Sequence, residues 1–241
     1  MKSYRHDGSL EGFVTCLHAA WQAHEEDCEI PATGKAGDDL FATPVELATD
    51  PIQARSFLDQ LELSDGSDLI RRIVHLYYSE SPRAGSMALA YLALWQLHGR
   101  ATDQHLTHPV VREVVPLTQK VGKEIHRLKG LLRFTEGESP YLNALMEPDF
   151  NILLPVALHF RRRLSAQPWI ILDARRHRAA DWDTRHLAFS TVPVTPSTPT
   201  TDPIAHLWKT FYRAVAIPDR KNTILRRQNM PERYWKYLTE L

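Results

Sequence analysis

Along the first hundred positions apolar residues recur every three or four places, the spacing that gathers them on one face of a helix. Phe13, Leu17, Ala20 and Trp21 predict a helix over residues 10–24, with Ser9 placed to cap it and the acids 25–27 ending it. Asp50 followed by Pro51 opens a second helix over 51–63. A third runs over 67–78 with Leu69, Ile73 and Leu76 inward. The fourth, over 86–98, is apolar nearly all round, which places it at the centre of a helical bundle. Residues 1–5 read as a short edge strand, and 30–44, broken by Pro and Gly, as a loop.

A long helix is predicted over 109–129. Val110, Val114, Leu117, Val121, Ile125, Leu128 and Leu132 form its inward stripe, Pro116 should kink it, and Gly130 should end it. Lys120, Lys123 and Arg127 line one outer face and His126, Lys129 and Arg133 another, so its second half carries a basic edge. The period then changes. Residues 131–134 and 141–146 flank a Gly-Glu-Ser-Pro turn and read as a hairpin, and Asp149 is placed to cap a helix over 151–164. Residues 168–173 form a buried strand and 187–192 another. The order strand, strand, helix, strand, strand predicts a small antiparallel sheet with one packed helix.

The sequence predicts a fold that is α+β and mainly α: a helical bundle plus this sheet, closed by carboxy-terminal helices. Three parts follow, an acidic helical stretch 1–108, the long helix and sheet unit 109–192, and a Pro-rich linker with basic and aromatic helices over 193–241, all within one compact domain.

Charge sharpens that division. The chain is neutral overall, yet residues 1–110 hold 8 Lys or Arg against 16 acids and residues 111–241 hold 21 against 13. Such polarity either pairs the two halves with each other or presents a basic face to nucleic acid. The strongest concentration lies over residues 207–238, where aromatic side chains stand among eight Lys or Arg and only two acids. Trp208, Phe211 and Val215 have helical spacing and read as core. Beyond them, Arg220, Lys221 and Asn222, then Arg233, Tyr234 and Trp235, are the kinds of side chain that hold phosphates and stack on unpaired bases.

Other chemistry is thinly represented. Cys16 and Cys28 are the only cysteines, too few for a disulfide framework or an iron-sulfur ligand set and in keeping with a reducing compartment. His105 and His108 are a meagre metal pair, so neither metal nor cofactor is expected. The scattered glycines build no phosphate loop or dinucleotide fingerprint, and no nucleophile elbow occurs. No apolar run is long enough to cross a membrane, and the first residues lack the apolar stretch of a secretory signal, so a cytoplasmic protein without a membrane partner is expected. For catalysis the candidates are Asp149, His159 and Asp173 as acid-base groups gathered at one mouth of the sheet, or Lys129 as an amine nucleophile. The plainer reading of the first three is a helix cap, a helix-face histidine and an aspartate paired with Arg175 or Arg176. Arg161, Arg162 and Arg163 suit a helix carboxy-terminus, but three in succession cannot share one face.

Several stretches together resemble a bacterial family of DNA metabolism proteins: YRHDGSLEGF over 4–13, VGKEIHRLKGLLRF over 121–134, EPDFNILLPVALHFRR over 147–162, PWIILDARR over 168–176, and the ending 208–240. The closing M-P-x-R-Y-W-K-Y-L, from Met230, is the most specific of them. The resemblance implies a gene beside a radical SAM protein of DNA modification or repair, and a domain that also occurs fused to a uracil-DNA-glycosylase-like domain. A His usually follows the position of Asp149 in that family, where this chain has Phe150, and Pro116 interrupts a helix expected to be regular. A radical SAM cluster needs three cysteines, so the partner would carry it.

The sequence therefore predicts a DNA-binding accessory in repair or modification. Its DNA-contacting residues would be Arg127, Lys129, Arg133, Arg162, Arg175 and Arg176, with Arg220, Lys221, Asn222, Arg233, Tyr234 and Trp235. Two alternatives stand beside it: a repair enzyme acting on damaged bases or abasic sites, and a scaffold for the radical SAM partner in which Tyr234, Trp235 and Tyr237 lock the ending onto the body.

Overall fold

The computed structural model describes residues 2–25, 28–33, 43–63, 66–136, 140–191, 227 and 230–237, with backbone alone at 233, 236 and 237. The protein is α+β and mainly α, with six α-helices and two small sheets among the described residues. The linker and the helix expected around Trp208 lie outside them. The chain divides into two compact units, Met1–Gly122 and Lys123–Leu241, and the boundary falls within a helix.

In the first unit, α1 (Leu10–Gln22) begins at Ser9, whose hydroxyl accepts the Gly12 N–H at 2.9 Å. The helix α2 (Pro51–Leu63) is opened by Asp50, whose carboxylate accepts the Ile52 and Gln53 N–H groups at 3.0 and 2.9 Å. Both caps occupy donors that a helix start otherwise leaves empty. In α3 (Ser67–Tyr78) Leu69, Ile73 and Leu76 are buried as their spacing requires. In α4 (Ala84–His98) Tyr91, Leu92 and Trp95 are buried, while Ala90, Ala93 and Leu97 share an exposed face. Gly85 is needed where α4 meets Ile30, because a Cβ there would lie 2.7 Å from the Ile30 carbonyl oxygen.

The amino-terminal strand β1 (Lys2–Arg5) corrects the edge assignment. It is central in a parallel sheet, flanked by β2 (Cys28–Glu29) and β3 (Thr43–Glu46), so part of the expected 30–44 loop is strand. The strands are too short for a local pattern, and only pairing between distant segments reveals them.

The long helix α5 (Pro109–Leu131) runs through Pro116 and one residue past Gly130. Its inward stripe is Val111, Val114, Thr118, Val121, Ile125, Leu128 and Leu132, rather than one passing through Val110 and Leu117. Thr118 takes the buried position because its hydroxyl is satisfied, donating to the Val114 carbonyl at 2.8 Å and accepting from the Arg72 guanidinium at 2.7 Å.

The second unit holds a five-stranded sheet in the order β4 (Phe134–Glu136), β5 (Leu142–Met146), β6 (Trp169–Asp173), β7 (Arg178–Trp182), β8 (Leu187–Thr191). It is mixed, not wholly antiparallel: β5 and β6 run parallel because α6 (Leu153–Arg163) connects them. The strand β7 was not foreseen. Its Arg-Ala-Ala-Asp-Trp sequence has little strand propensity, and it is a strand because β6 and β8 pair with both its edges. Period-two alternation along β6 buries Trp169, Ile171 and Asp173 on one face, beside Ala144 and Met146 of β5. Helix α6 covers the sheet with Val156 and Phe160, and Phe160 meets the edge of Phe134 at 4.9 Å between ring centres.

Candidate functional site

Strands β5 and β6 end side by side, and the Ala174 N–H donates to the Met146 carbonyl at 2.9 Å to tie the exits together. What leaves those strand ends is the loop 147–152 and the turn 174–177. Alternation along β6 brings Asp173 to the core face, fully buried. Its carboxylate accepts the backbone N–H groups of Arg175 at 3.0 Å and Arg176 at 3.2 Å, and the Arg176 guanidinium at 3.3 Å. Burial pushes its carboxyl above the ordinary carboxylate range, with Arg176 and the two N–H groups pulling the other way. The same guanidinium donates to the Pro148 carbonyl at 3.2 Å and the Asp149 carbonyl at 2.9 Å, so Arg176 pins the loop to the turn. Arg175 is exposed and donates to the Asp149 carboxylate at 3.2 Å.

Glu124 of α5 supplies the other support. It is 2% exposed, and its carboxylate accepts the N–H groups of Asp149 and Phe150, each at 3.0 Å. The Tyr234 hydroxyl also donates to it. Tyr234 stands in the 3-10 helix Glu232–Tyr237, which lies against β5. A carboxylate taken out of water is tolerable here because its oxygens are engaged by oriented donors.

These contacts revise several sequence assignments. Asp149 does not cap α6; the cap position belongs to Ile152, without a side-chain bond, and Asp149 pairs with Arg175 instead. Asp149 and Asp173 do meet around the two arginines. His159 does not join them: it sits in the second half of α6, and neither aspartate is its hydrogen-bond partner among the described residues. The acid-base triad is thus not assembled, and buried Asp173 has its oxygens committed to the turn. Tyr234, expected to stack on a base, is 2% exposed with its hydroxyl bound to Glu124, so its ring is not a free platform. Trp235 is half-buried and its indole N–H donates to the Met230 carbonyl at 2.7 Å.

Of the expected cationic contacts, Arg162 and Arg175 are exposed, while Arg127, Lys129, Arg133 and Arg176 are half-buried. Arg133 turns back on its own chain, donating to the Gly130 carbonyl at 2.9 Å. Arg220, Lys221, Asn222 and the Arg233 side chain lie outside the described residues.

Sequence reasoning missed Glu124, although an acid set between Val121 and Ile125 on the inward stripe was a signal. It also passed over the surroundings of His159. That imidazole has Nε2 closed off from solvent with no hydrogen-bond partner, on the helix face it shares with Arg163. Burial lowers its basicity, and the charges of Lys129 and Arg163 lower it further. The pair His105 and His108 joins no larger donor set, and among the described residues no group of three or more His, Cys, Asp or Glu could hold a metal. No described helix is long and apolar enough to cross a membrane.

Fold and site define an α+β protein whose second unit carries a small mixed sheet, a carboxylate-anchored loop at the parallel strand ends, and a surplus of cations. A family model described as a domain of unknown function, DUF4130, matches residues 82–240, well over half the chain. The chain belongs to that family. No curated protein and no solved structure matches it.

Proposed function

We propose that the protein is a DNA-binding accessory of a repair or modification system, working beside a radical SAM enzyme that carries the cluster chemistry. The observation that carries this reading is the charge of the second unit. Residues 123–241 hold 19 Lys or Arg against 12 acids, and Arg162, Arg163, Arg175 and Arg178 stand exposed on it. Phosphate polymers bind such surfaces by releasing condensed counterions. The resemblance of the 121–134, 147–162 and 168–176 stretches to DNA metabolism proteins supports the same reading and supplies the partner.

The test is fluorescence anisotropy with single-stranded, duplex and uracil- or abasic-containing DNA across a salt series. Tight binding that weakens steeply with salt is expected, and replacing Arg220 and Lys221 by Ala should weaken it and flatten the slope. Absence of binding at low salt overturns the reading.

A second reading, a docking scaffold for the radical SAM partner, draws on the burial of Tyr234 and the internal bond of Trp235, which give the family's closing motif a structural task. It expects co-purification with that partner in the absence of DNA, and Trp235→Ala to leave DNA affinity unchanged.

A further inference from the structure

We propose that Arg175 is a phosphate contact for a nucleic-acid backbone and that the Asp149 carboxylate is its built-in competitor, holding the guanidinium until a phosphodiester takes its place. The inference rests on the DNA-binding reading and gives it a defined, self-competing contact.

The argument begins with how the pair is mounted. The Arg175 guanidinium donates to the Asp149 carboxylate at 3.2 Å, with side chains 54% and 47% exposed. The backbone of each is nevertheless fixed by a buried carboxylate. Asp173, fully buried, accepts the Arg175 N–H at 3.0 Å, and Glu124, 2% exposed, accepts the Asp149 N–H at 3.0 Å. Arg176 then joins the two sides, donating to the Asp149 carbonyl at 2.9 Å and the Asp173 carboxylate at 3.3 Å. A solvent-facing ion pair is thus carried on a loop and a turn that are braced to each other.

The plain explanation of the pair is stability, but an exposed ion pair contributes little to folding, because water and salt screen it and two side chains lose freedom in making it. The buried bonds hold the loop and turn without it. What they do for the pair is preorganise it: cation and anion are presented to solvent from fixed backbone, as a binding contact requires. Charge decides which of the two meets the ligand. Arg178, three residues on, is also exposed, and residues 123–241 hold 19 Lys or Arg against 12 acids, so an anion is drawn here and a cation is not. A phosphodiester accepts from the guanidinium fork as a carboxylate does, so it can replace Asp149 in kind. The released carboxylate then stands close to the phosphate, and its repulsion lowers the affinity. Arg175 and Asp149 therefore act on binding with opposite signs.

The experiment uses the full chain. Anisotropy with a duplex oligonucleotide compares wild type, Asp149→Asn, Arg175→Ala, the double variant of both, and Glu136→Gln as a charge control. Glu136 is exposed and pairs in register with Leu142, at the start of β5, whereas Asp149 follows the end of that strand. Asp149→Asn should bind about two- to fivefold more tightly than wild type and more tightly than Glu136→Gln. Arg175→Ala should bind several-fold more weakly, with a salt slope lower by about one. In the Arg175→Ala background, Asp149→Asn should bring no more gain than Glu136→Gln does. Circular dichroism checks that each variant is folded, and the Arg175 Nε–H signal of the wild type, followed by NMR, should move when the oligonucleotide is added, which tests the contact without any variant. A gain in Asp149→Asn no larger than in Glu136→Gln, or an Arg175 signal that stays in place while DNA binds, overturns this inference and leaves DNA binding standing. Absence of wild-type binding at low salt overturns it together with the DNA-binding reading.

Discussion

Glu124 shows how much one side chain can organise. Donors from Asp149, Phe150 and Tyr234 converge on its carboxylate, so the helix α5, the loop at the strand ends and the carboxy-terminal motif are held at one buried point. Hydrogen bonds to a charged group contribute about 1.5–3 kcal/mol each, and removing the acceptor leaves buried donors unpaired. Tyr234→Phe should therefore lower stability by about 1–3 kcal/mol and Glu124→Ala by more. In a double-mutant cycle read by chemical denaturation, the two changes should be strongly non-additive; additive losses would show that the contact carries no energy. A second buried group sets a pH dependence. Burial holds the His75 imidazole below its ordinary value of 6.5, Arg71 and Arg72 add to this, and the Thr118 carbonyl opposes it. The unfolded chain therefore takes up a proton that the folded chain refuses. Stability is fully present above about pH 6.5 and is lost as pH falls from there through the folded-state value. Thermal melts between pH 7.5 and 5 should show this decline, and His75→Gln should make it shallower.

At the scale of elements, local rules and close packing sometimes oppose each other, and magnitude decides which prevails. Gly85 lies in the first turn of α4, where helix propensity alone would favour Ala, by at most the roughly 1 kcal/mol of a helix interior. A Cβ at that position would run into Ile30, and overpacking of a tight contact costs typically 1–3 kcal/mol. Gly85→Ala is therefore expected to lower the melting temperature, against the propensity scale; a rise would mean that Ile30 can retreat. The helices were legible because each carries its own period, and α1 and α2 carry side-chain caps as well, as Ser9 and Asp50 show. The sheets were legible only in part. Trp169 to Asp173 announces itself by apolar content, but Arg178–Trp182 is a strand by virtue of its neighbours, and the parallel pairing of β5 with β6 follows from the helix between them.

For the whole molecule the telling quantity is a charge balance that cancels in total and not in its parts. A neutral chain would not be drawn to a polyanion by its net charge, so the proposed DNA binding would have to come from the basic second unit. Such binding should be steep in salt, with each neutralised phosphate adding about 0.9 to the slope on duplex DNA. Measured affinity that hardly changes with salt would assign the recognition to apolar or stacking contacts instead.

The sequence alone determined the mainly helical α+β class, the caps of α1 and α2, the charge division and the motifs by which the family is recognised, because each of these resides in neighbouring residues. Only the tertiary structure decided the rest. It placed β1 at the centre of its sheet, turned Asp149 from a cap into a partner of Arg175, buried Tyr234 on Glu124, and left the His159 Nε2 atom closed off from solvent without a hydrogen-bond partner. Those outcomes depend on which distant groups share a low-dielectric interior. There an unpaired donor or charge costs more than any local preference returns, and spacing along the chain does not encode that pairing.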